Sequence, residues 1–491
     1  MKDLILVIDQ GTTSTRAIIF DRNVNICAKA QSELTQYYPA DGWVEHDGEE
    51  IWLAALSVCR QALAAVDINR VAGIGITNQR ETTLVWHRNN NRLVHPAIVW
   101  QDRRTAKDCE ALKKSDVEAT VCEKTGLLLD PYFSATKLRW ILNQSAELAA
   151  QAQAGDLAFG TIDSFLLWRL TGGRVHRTDI SNASRTLLFN INSAEWDQAL
   201  LSLFDIPAAV LPEVSDNVAE FGETAADLFG RAIPILGMAG DQQAALIGQG
   251  CFAAGSAKCT FGTGSFLVVN TGDKRVNSSN RLLATIAYRI GGELNYALEG
   301  SVFIAGAVVQ WLRDGLKLIT DAEQTQSIAE SSQGAKGVYF IPAFTGLGAP
   351  YWDATAKGAI MGLRRDSGIA ELVCAALESA AFQTKDLLIA MQKDGAQFKQ
   401  LRVDGGMIQN DWLLQNLADH LRMPVERAKL IETTALGAAF LAGLGAGVFR
   451  DFDHLQSLSQ VGRVCAPKMS EESSKIAYQG WCDAIGRVLS Q

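Results

Sequence analysis

Leu4 to Asp21 reads LILVIDQGTTSTRAIIFD. Leu4–Asp9 is an apolar run closed by a carboxylate, and Ala17–Phe20 is a second apolar run that ends at Asp21. Two short apolar runs around a polar turn predict a hairpin of buried strands. The turn, Gln10–Arg16, is small and hydroxylated. Gly11 lets backbone approach a ligand, Thr12, Thr13, Ser14 and Thr15 supply donors, and Arg16 adds a fixed positive fork. These are the parts of a phosphate cradle, and Asp9 at a strand end suits a hydrated Mg²⁺. An ordinary hydroxyl-rich hairpin is the alternative.

The motif recurs. Lys258–Asn270 reads KCTFGTGSFLVVN, again two apolar strands around a turn, here Gly262-Thr263-Gly264-Ser265. The turns GTTS and GTGS fall near the start of each half of the chain. Two similar lobes, each presenting a hairpin turn to a shared cleft, would grip a polyphosphate from both sides.

At 491 residues the chain exceeds what one core supports, so two domains are expected. The cut is placed where glycines thicken at Gly248-Gln249-Gly250, giving domains 1–249 and 250–491. A hydrophobic share of 48% with 20% charged residues fits a soluble enzyme. A net charge of −9 without basic runs argues against nucleic acid as partner. The cysteines include no C-x-x-C pair and the start lacks a charged-then-apolar leader, so reduced thiols and a cytoplasmic location are expected. The histidines are dispersed, which argues against zinc. Ala435–Phe449 is too short and glycine-rich to span a membrane, and reads as a buried helix packed closely on a neighbour.

Strands are predicted at Val71–Thr77, Leu84–Trp86 and Ala97–Trp100, and helices at Glu49–Ala65, Leu138–Ala152 and Ser164–Leu170. The second half carries helical patterns over Val302–Ile319, Ile369–Gln392 and Asn410–Arg422. Alternation of this kind predicts an α/β fold with mixed sheets.

Arg80-Glu81 follows a buried strand, where ligand-binding side chains of α/β sheets sit. Side by side they can serve a hydroxyl compound as donor and acceptor; a structural ion pair is the alternative. Asp241-Gln242 also follows an apolar run, and a carboxylate there can orient an alcohol and accept its proton, or simply cap a helix. Trp100, Tyr132 and Phe266 would wall a small pocket or belong to the core. Gly306 and Gln310 share a helix face, where a missing side chain beside an amide suits a flat base, although a helix–helix contact is the commoner explanation for such a glycine. Gly406 and Asn410 stand in a strand-to-helix turn whose amides can meet phosphate or ribose, a plain turn being the alternative. Neither G-x-x-x-x-G-K-[ST] nor G-x-G-x-x-G occurs.

With these residues assembled, the chain resembles the FGGY carbohydrate kinases over nearly its whole length. Both stretches that mark the family are present: Tyr132-Phe133-Ser134-Ala135-Thr136-Lys137-Leu138-Arg139-Trp140, and Gly358-Ala359-Ile360-Met361-Gly362-Leu363 continuing through Glu371 to Glu378. NQRET (78–82), WQDRR (100–104), AGDQQAAL (239–246), LEGSVFIAGAVVQWLRD (298–314) and FIPAFTGLGAPYWD (340–353) are similar to members that act on glycerol. The resemblance implies two ribonuclease-H-like domains of the actin/hexokinase type, with mixed sheets flanked by helices and the active site in the interdomain cleft. It implies transfer of a phosphoryl group from ATP to glycerol, with Asp241 catalytic. Arg80, Glu81, Trp100, Tyr132, Asp241, Gln242 and Phe266 would bind glycerol. Thr12, Thr13, Ser14, Arg16 and Thr263 would hold phosphates, Gly306, Gln310, Gly406 and Asn410 would line the nucleotide site, and Asp9 would lie near Mg²⁺. A homodimer or homotetramer is also implied. Other family acceptors (xylulose, gluconate, a four-carbon polyol) and a non-catalytic actin-like ATP-binding protein are the rival readings. Leu228–Ile233 is shorter than the arginine-bearing loop of members that respond to fructose 1,6-bisphosphate. Lys468–Ser474 differs from the stretch where some bacterial relatives dock a phosphotransferase regulator, so neither control is expected.

Overall fold

The computed structural model describes residues 2–490. They divide into two units, the first being Met1–Gly250 with Ala284–Tyr296 and Thr434–Leu458, the second Cys251–Leu283, Ala297–Thr433 and Ser459–Gln491.

The first unit is built on a five-stranded sheet. Its strands are β1 (Leu4–Gln10), β2 (Ser14–Phe20), β3 (Ile26–Glu33), β4 (Val71–Asn78) and β5 (Ile235–Gly240), in the order β5-β4-β1-β2-β3. The opening hairpin is antiparallel, while β4 runs parallel to β1 and β5 parallel to β4. β1 and β4 are buried along their whole length, as their unbroken apolar runs require. The hairpin ladder extends beyond the apolar residues, with Asp9 opposite Arg16 and Gln10 opposite Thr15, so β2 begins at Ser14 rather than at Ala17.

Helix α1 (Gly48–Ala64) buries Ile51, Trp52, Ala55 and Val58, and Asp47 caps it by accepting from the Glu49 amide. The helix expected over Leu138–Ala152 is two. α2 (Ser134–Leu142) ends at Asn143, and a new helix over Ala146–Ala154 starts where Ser145 accepts from the Leu148 amide. Of the strand expected over Ala97–Trp100 only Ala97–Ile98 forms. Helix α3 (Asp241–Gly248) follows β5 directly.

The second unit repeats the plan. Its sheet has strands β6 (Ala257–Phe261), β7 (Ser265–Gly272), β9 (Glu293–Val302, from Ala297 on), β10 (Leu401–Asp404), β11 (Val425–Ala428) and β12 (Val461–Cys465), in the order β9-β7-β6-β10-β11-β12; β8 (Leu283–Ile290) falls, all but Leu283, in the first unit. Hairpin β6–β7 is antiparallel, and β10 and β11 run parallel to β6 as β4 and β5 do to β1. The helix expected from Val302 starts only at Gly306: α4 spans Gly306–Asp314, because the apolar residues up to Val302 complete β9. α5 (Gln324–Glu330), the long buried α6 (Ile369–Lys393) and α7 (Asp411–Leu421) follow.

Helix α8 (Thr433–Gly445) shows why that stretch is rich in small residues. A Cβ on Gly75 of β4 would lie 2.3 Å from the Ala438 carbonyl, and one on Gly237 of β5 would lie 2.4 Å from the Ala442 amide. On the helix itself, a Cβ at Gly437 would meet the Ala244 carbonyl at 1.8 Å. Backbone therefore packs on backbone. Among the described residues no helix is long and apolar enough to cross a membrane.

Candidate active site

In the first unit, β1, β4 and β5 release their carboxyl ends together, since Gln10 stands opposite Asn78 and Asn78 opposite Gly240. Such ends are where α/β sheets present ligand-binding groups. Arg80 and Glu81, just past β4, are 2% and 1% exposed. The Arg80 stem passes over Gly240, where a Cβ would lie 2.6 Å from its Cγ. Its Nε then reaches the Asp241 carboxylate at 3.3 Å and that of Glu81 at 3.7 Å. Nη1 donates to Gln243 Oε1 at 3.3 Å and Nη2 to the Tyr132 hydroxyl at 3.4 Å. One guanidinium thus gathers Glu81, Tyr132 and Asp241.

Glu81 is held from the other side by the fully buried Arg185, whose Nε donates to Oε1 at 2.7 Å. Asp241 is the open member: its side chain is 32% exposed, against 2% for Glu81. It is the first residue of α3 and accepts from the Gln242 amide at 2.7 Å; the N-cap is Gly240, with no side-chain cap, so Asp241 does not take the capping role. Gln242 is itself 6% exposed.

Trp100 and Tyr132 meet edge to face, with centroids 5.5 Å apart. The indole Nε1 donates to Thr12 Oγ1 at 2.9 Å, tying the aromatic wall to the β1–β2 turn. In that turn Gly11 donates to the Ser14 carbonyl at 2.9 Å. Thr13 is exposed and Ser14 buried. Arg16 approaches the Asp9 carboxylate at 3.8 Å.

Behind this edge lies a buried polar layer that the sequence reading did not single out. Asp179 accepts from the Ser181 amide at 2.7 Å and from Asn217 Nδ2 at 2.9 Å, and Ser181 Oγ accepts from the Gly240 amide at 3.0 Å. Asn182 and Asn78 exchange amide hydrogen bonds at 3.0 Å. Burial, with Asp163 as like-charged neighbour, pushes the Asp179 carboxyl up to about 7.

In the second unit a cavity of about 680 Å³ opens at the carboxyl ends of β6 and β10. Thr263, Gly306, Gln310, Gly406 and Asn410 all line it; Phe266, on β7, does not. A Cβ at Gly306 would lie 2.5 Å from the Gly262 carbonyl, which accepts from the Gly306 amide at 2.9 Å. The start of α4 therefore sits on the β6–β7 turn, a closer approach than the helix–helix contact a glycine usually marks. Gly405, at φ +100°, turns the chain where a Cβ would strike the Phe261 carbonyl at 2.3 Å, and at Gly406 the space is open. Asn410 caps α7, accepting from the Leu413 amide at 3.0 Å, and donates to Thr325 Oγ1 at 3.1 Å. Arg313 also lines the cavity. Its spacing from Gly306 and Gln310 puts it on their helix face, and that spacing was readable.

The N-terminal domain model of the FGGY family of carbohydrate kinases matches residues 4–248, and its C-terminal domain model matches residues 257–446. The chain belongs to the FGGY family. This FGGY chain is 59% identical to a glycerol kinase of Ectopseudomonas mendocina over 494 residues, covering 100% of both. It is 57% identical to a glycerol kinase of Rhodospirillum centenum over 488 residues, 99% of this chain and 98% of the relative. In three dimensions it is similar to Plasmodium falciparum glycerol kinase with ADP, with a TM-score of 0.93 and 36% identity over 99% of this chain and 98% of that one. A gluconate kinase from Lactobacillus acidophilus, at 23% identity and a TM-score of 0.89, shares the fold.

Proposed function

We propose that this FGGY kinase transfers the γ-phosphoryl group of ATP to a terminal hydroxyl of glycerol, giving glycerol 3-phosphate and ADP. The observation that carries the reading is the gathering of Glu81, Tyr132 and Asp241 on the buried Arg80. It offers a small polyol paired donors and acceptors, in a chain whose full-length relatives are glycerol kinases.

In this account Arg80, Glu81, Tyr132 and Gln242 hold the glycerol hydroxyls, with Trp100 and Phe266 against its carbon edge. Thr12, Thr13, Ser14, Arg16 and Thr263 hold phosphates. The cavity of the second unit takes the rest of the nucleotide at Gly306, Gln310, Gly406 and Asn410. Its volume of about 680 Å³ suits a ligand of that size. The attacking oxygen forms the new O–P bond as the bond to the β-phosphate bridging oxygen breaks and ADP leaves. In a loose transition state positioning and charge neutralisation carry most of the rate. Asp241 therefore orients the hydroxyl and takes its proton late.

Asp9 is the residue that would hold Mg²⁺. Among the described residues no group of three or more metal-ligating side chains forms. A single strand-end carboxylate beside a hydroxylated turn nevertheless fits an ion that keeps water and phosphate oxygens as its other ligands. When bound, Mg²⁺ neutralises charge on the phosphates.

ADP release measured over a panel of glycerol, erythritol, xylulose and gluconate tests the reading. Glycerol is expected to give the highest kcat/KM by at least ~10²-fold, because a site built on buried hydrogen-bonding groups rejects poorly matched acceptors. Preference for a sugar would replace glycerol as acceptor.

A further inference from the structure

The family stretch Tyr132–Trp140 contains a charged residue that the chemistry above leaves without a part. Lys137, on α2, is 0% exposed. An ammonium withdrawn from water needs a counter-charge or a full set of acceptors. The nearby carboxylates are committed to arginines: Glu81 to Arg185 at 2.7 Å, Asp102 to Arg104 at 2.8 Å and Asp130 to Arg103 at 2.7 Å. Lys137 folds back toward the start of its helix, and Nζ donates to three main-chain carbonyls. These are Tyr132 at 2.5 Å, Glu81 at 3.4 Å and Phe133 at 3.4 Å. The Glu81 carbonyl is fixed further by Ser134 Oγ at 3.2 Å and Thr83 Oγ1 at 3.1 Å.

Two segments far apart in sequence meet at this ammonium. One carries Arg80 and Glu81, the other Tyr132. We propose that Lys137 is a positioning residue of the acceptor site: it clamps the peptide carbonyls of Glu81 and Tyr132, and so sets the spacing of the side chains that receive the polyol. The inference rests on the acceptor reading above. Lys137 itself meets no reacting atom. A tetrahedral ammonium serves three carbonyls converging on one point, whereas a planar guanidinium is shaped for parallel acceptors, so arginine is a poor replacement.

The clamp carries a pH signature. Burial lowers Lys137 to about 8, opposed by the charges of Glu81, Asp102 and Asp130 and by Cys109 on the helix Ala106–Lys114. Below that pH the ammonium offers a proton to each carbonyl. Above it the neutral amine has two protons for three acceptors and no charge, so the hold on the acceptor weakens as pH rises.

Steady-state kinetics on the full chain test this. Lys137→Met is expected to raise the glycerol KM by roughly tenfold or more, the loss of a charged hydrogen-bond donor, with the ATP KM within about twofold of wild type. The wild-type glycerol KM should climb between about pH 7 and about pH 9, and that of Lys137→Met should stay flat over the same range. Lys137→Arg should resemble Lys137→Met. Should Lys137→Met not fold, Ser134→Ala removes a lighter donor from the same Glu81 carbonyl and is expected to raise the glycerol KM about threefold, again sparing ATP. A variant with wild-type KM for glycerol, or with both KM values shifted equally, overturns the proposal. Wild-type chain that releases no ADP with glycerol overturns the acceptor reading instead, and the proposal with it.

Discussion

Arg80 Nε stands 3.3 Å from the Asp241 carboxylate because β4 and β5 are parallel neighbours that end in register, Asn78 opposite Gly240. Gly240 leaves room for the arginine stem, and the guanidinium at its end is 2% exposed while the carboxylate it orients is 32% exposed. A rigid cation thus aims an accessible acid.

Replacing Asp241 by Asn keeps the shape and removes the base. The expected result is a fall in kcat of about 10²–10⁴-fold, the range for a positioned general base, with ATP affinity nearly unchanged. Turnover by Asp241→Asn, with ATP affinity from equilibrium titration, checks it.

Arg185 and Glu81 form an ion pair in which both side chains are at most 2% exposed. Removing one partner strands a buried charge, so Arg185→Leu should lower stability by about 3 kcal/mol in denaturant titration. The double change Arg185→Leu with Glu81→Gln should recover part of that stability and none of the glycerol turnover, because the acceptor contact is gone.

Gly306 touches the Gly262 carbonyl so closely that a methyl group would sit 2.5 Å from it. Gly306→Ala must displace either α4 or the turn bearing Thr263, at a cost of about 1–3 kcal/mol for such overpacking. The ATP KM should rise and the glycerol KM should not. Kinetics with each substrate varied in turn decide between this and a purely structural effect.

Asp179, held up at about 7 by burial and by Asp163, binds a proton in the folded chain over a range where the unfolded chain has released it. Its contribution is therefore present at low pH and lost as pH rises through about 7. Asp179→Asn removes the titration. Its melting temperature, measured against wild type, should shift upward steadily between about pH 4 and about pH 8, whatever the offset at the acid end. A difference independent of pH would contradict the raised carboxyl.

Much of this was readable because apolar runs declare buried strands, and both hairpins follow from them. The runs misled where apolar character crossed an element boundary. Val302 closes β9, and α4 can begin only at Gly306, where its amide meets the Gly262 carbonyl. Polar residues hid the true start of β2, since Ser14–Arg16 extend the ladder without an apolar side chain to declare it. Arg185 and Lys137 escaped for another reason. Lysine and arginine are ordinarily surface residues, and only the three-dimensional meeting with Glu81 reveals that these two are buried.

The central claim is transfer of a phosphoryl group to glycerol rather than to water. Phosphorus NMR of the purified chain with ATP, Mg²⁺ and glycerol tests it most directly. The account predicts that the γ-phosphate signal is replaced, one for one with ADP, by a primary phosphate monoester of glycerol. Inorganic phosphate in its place, or an unchanged ATP spectrum, would contradict it.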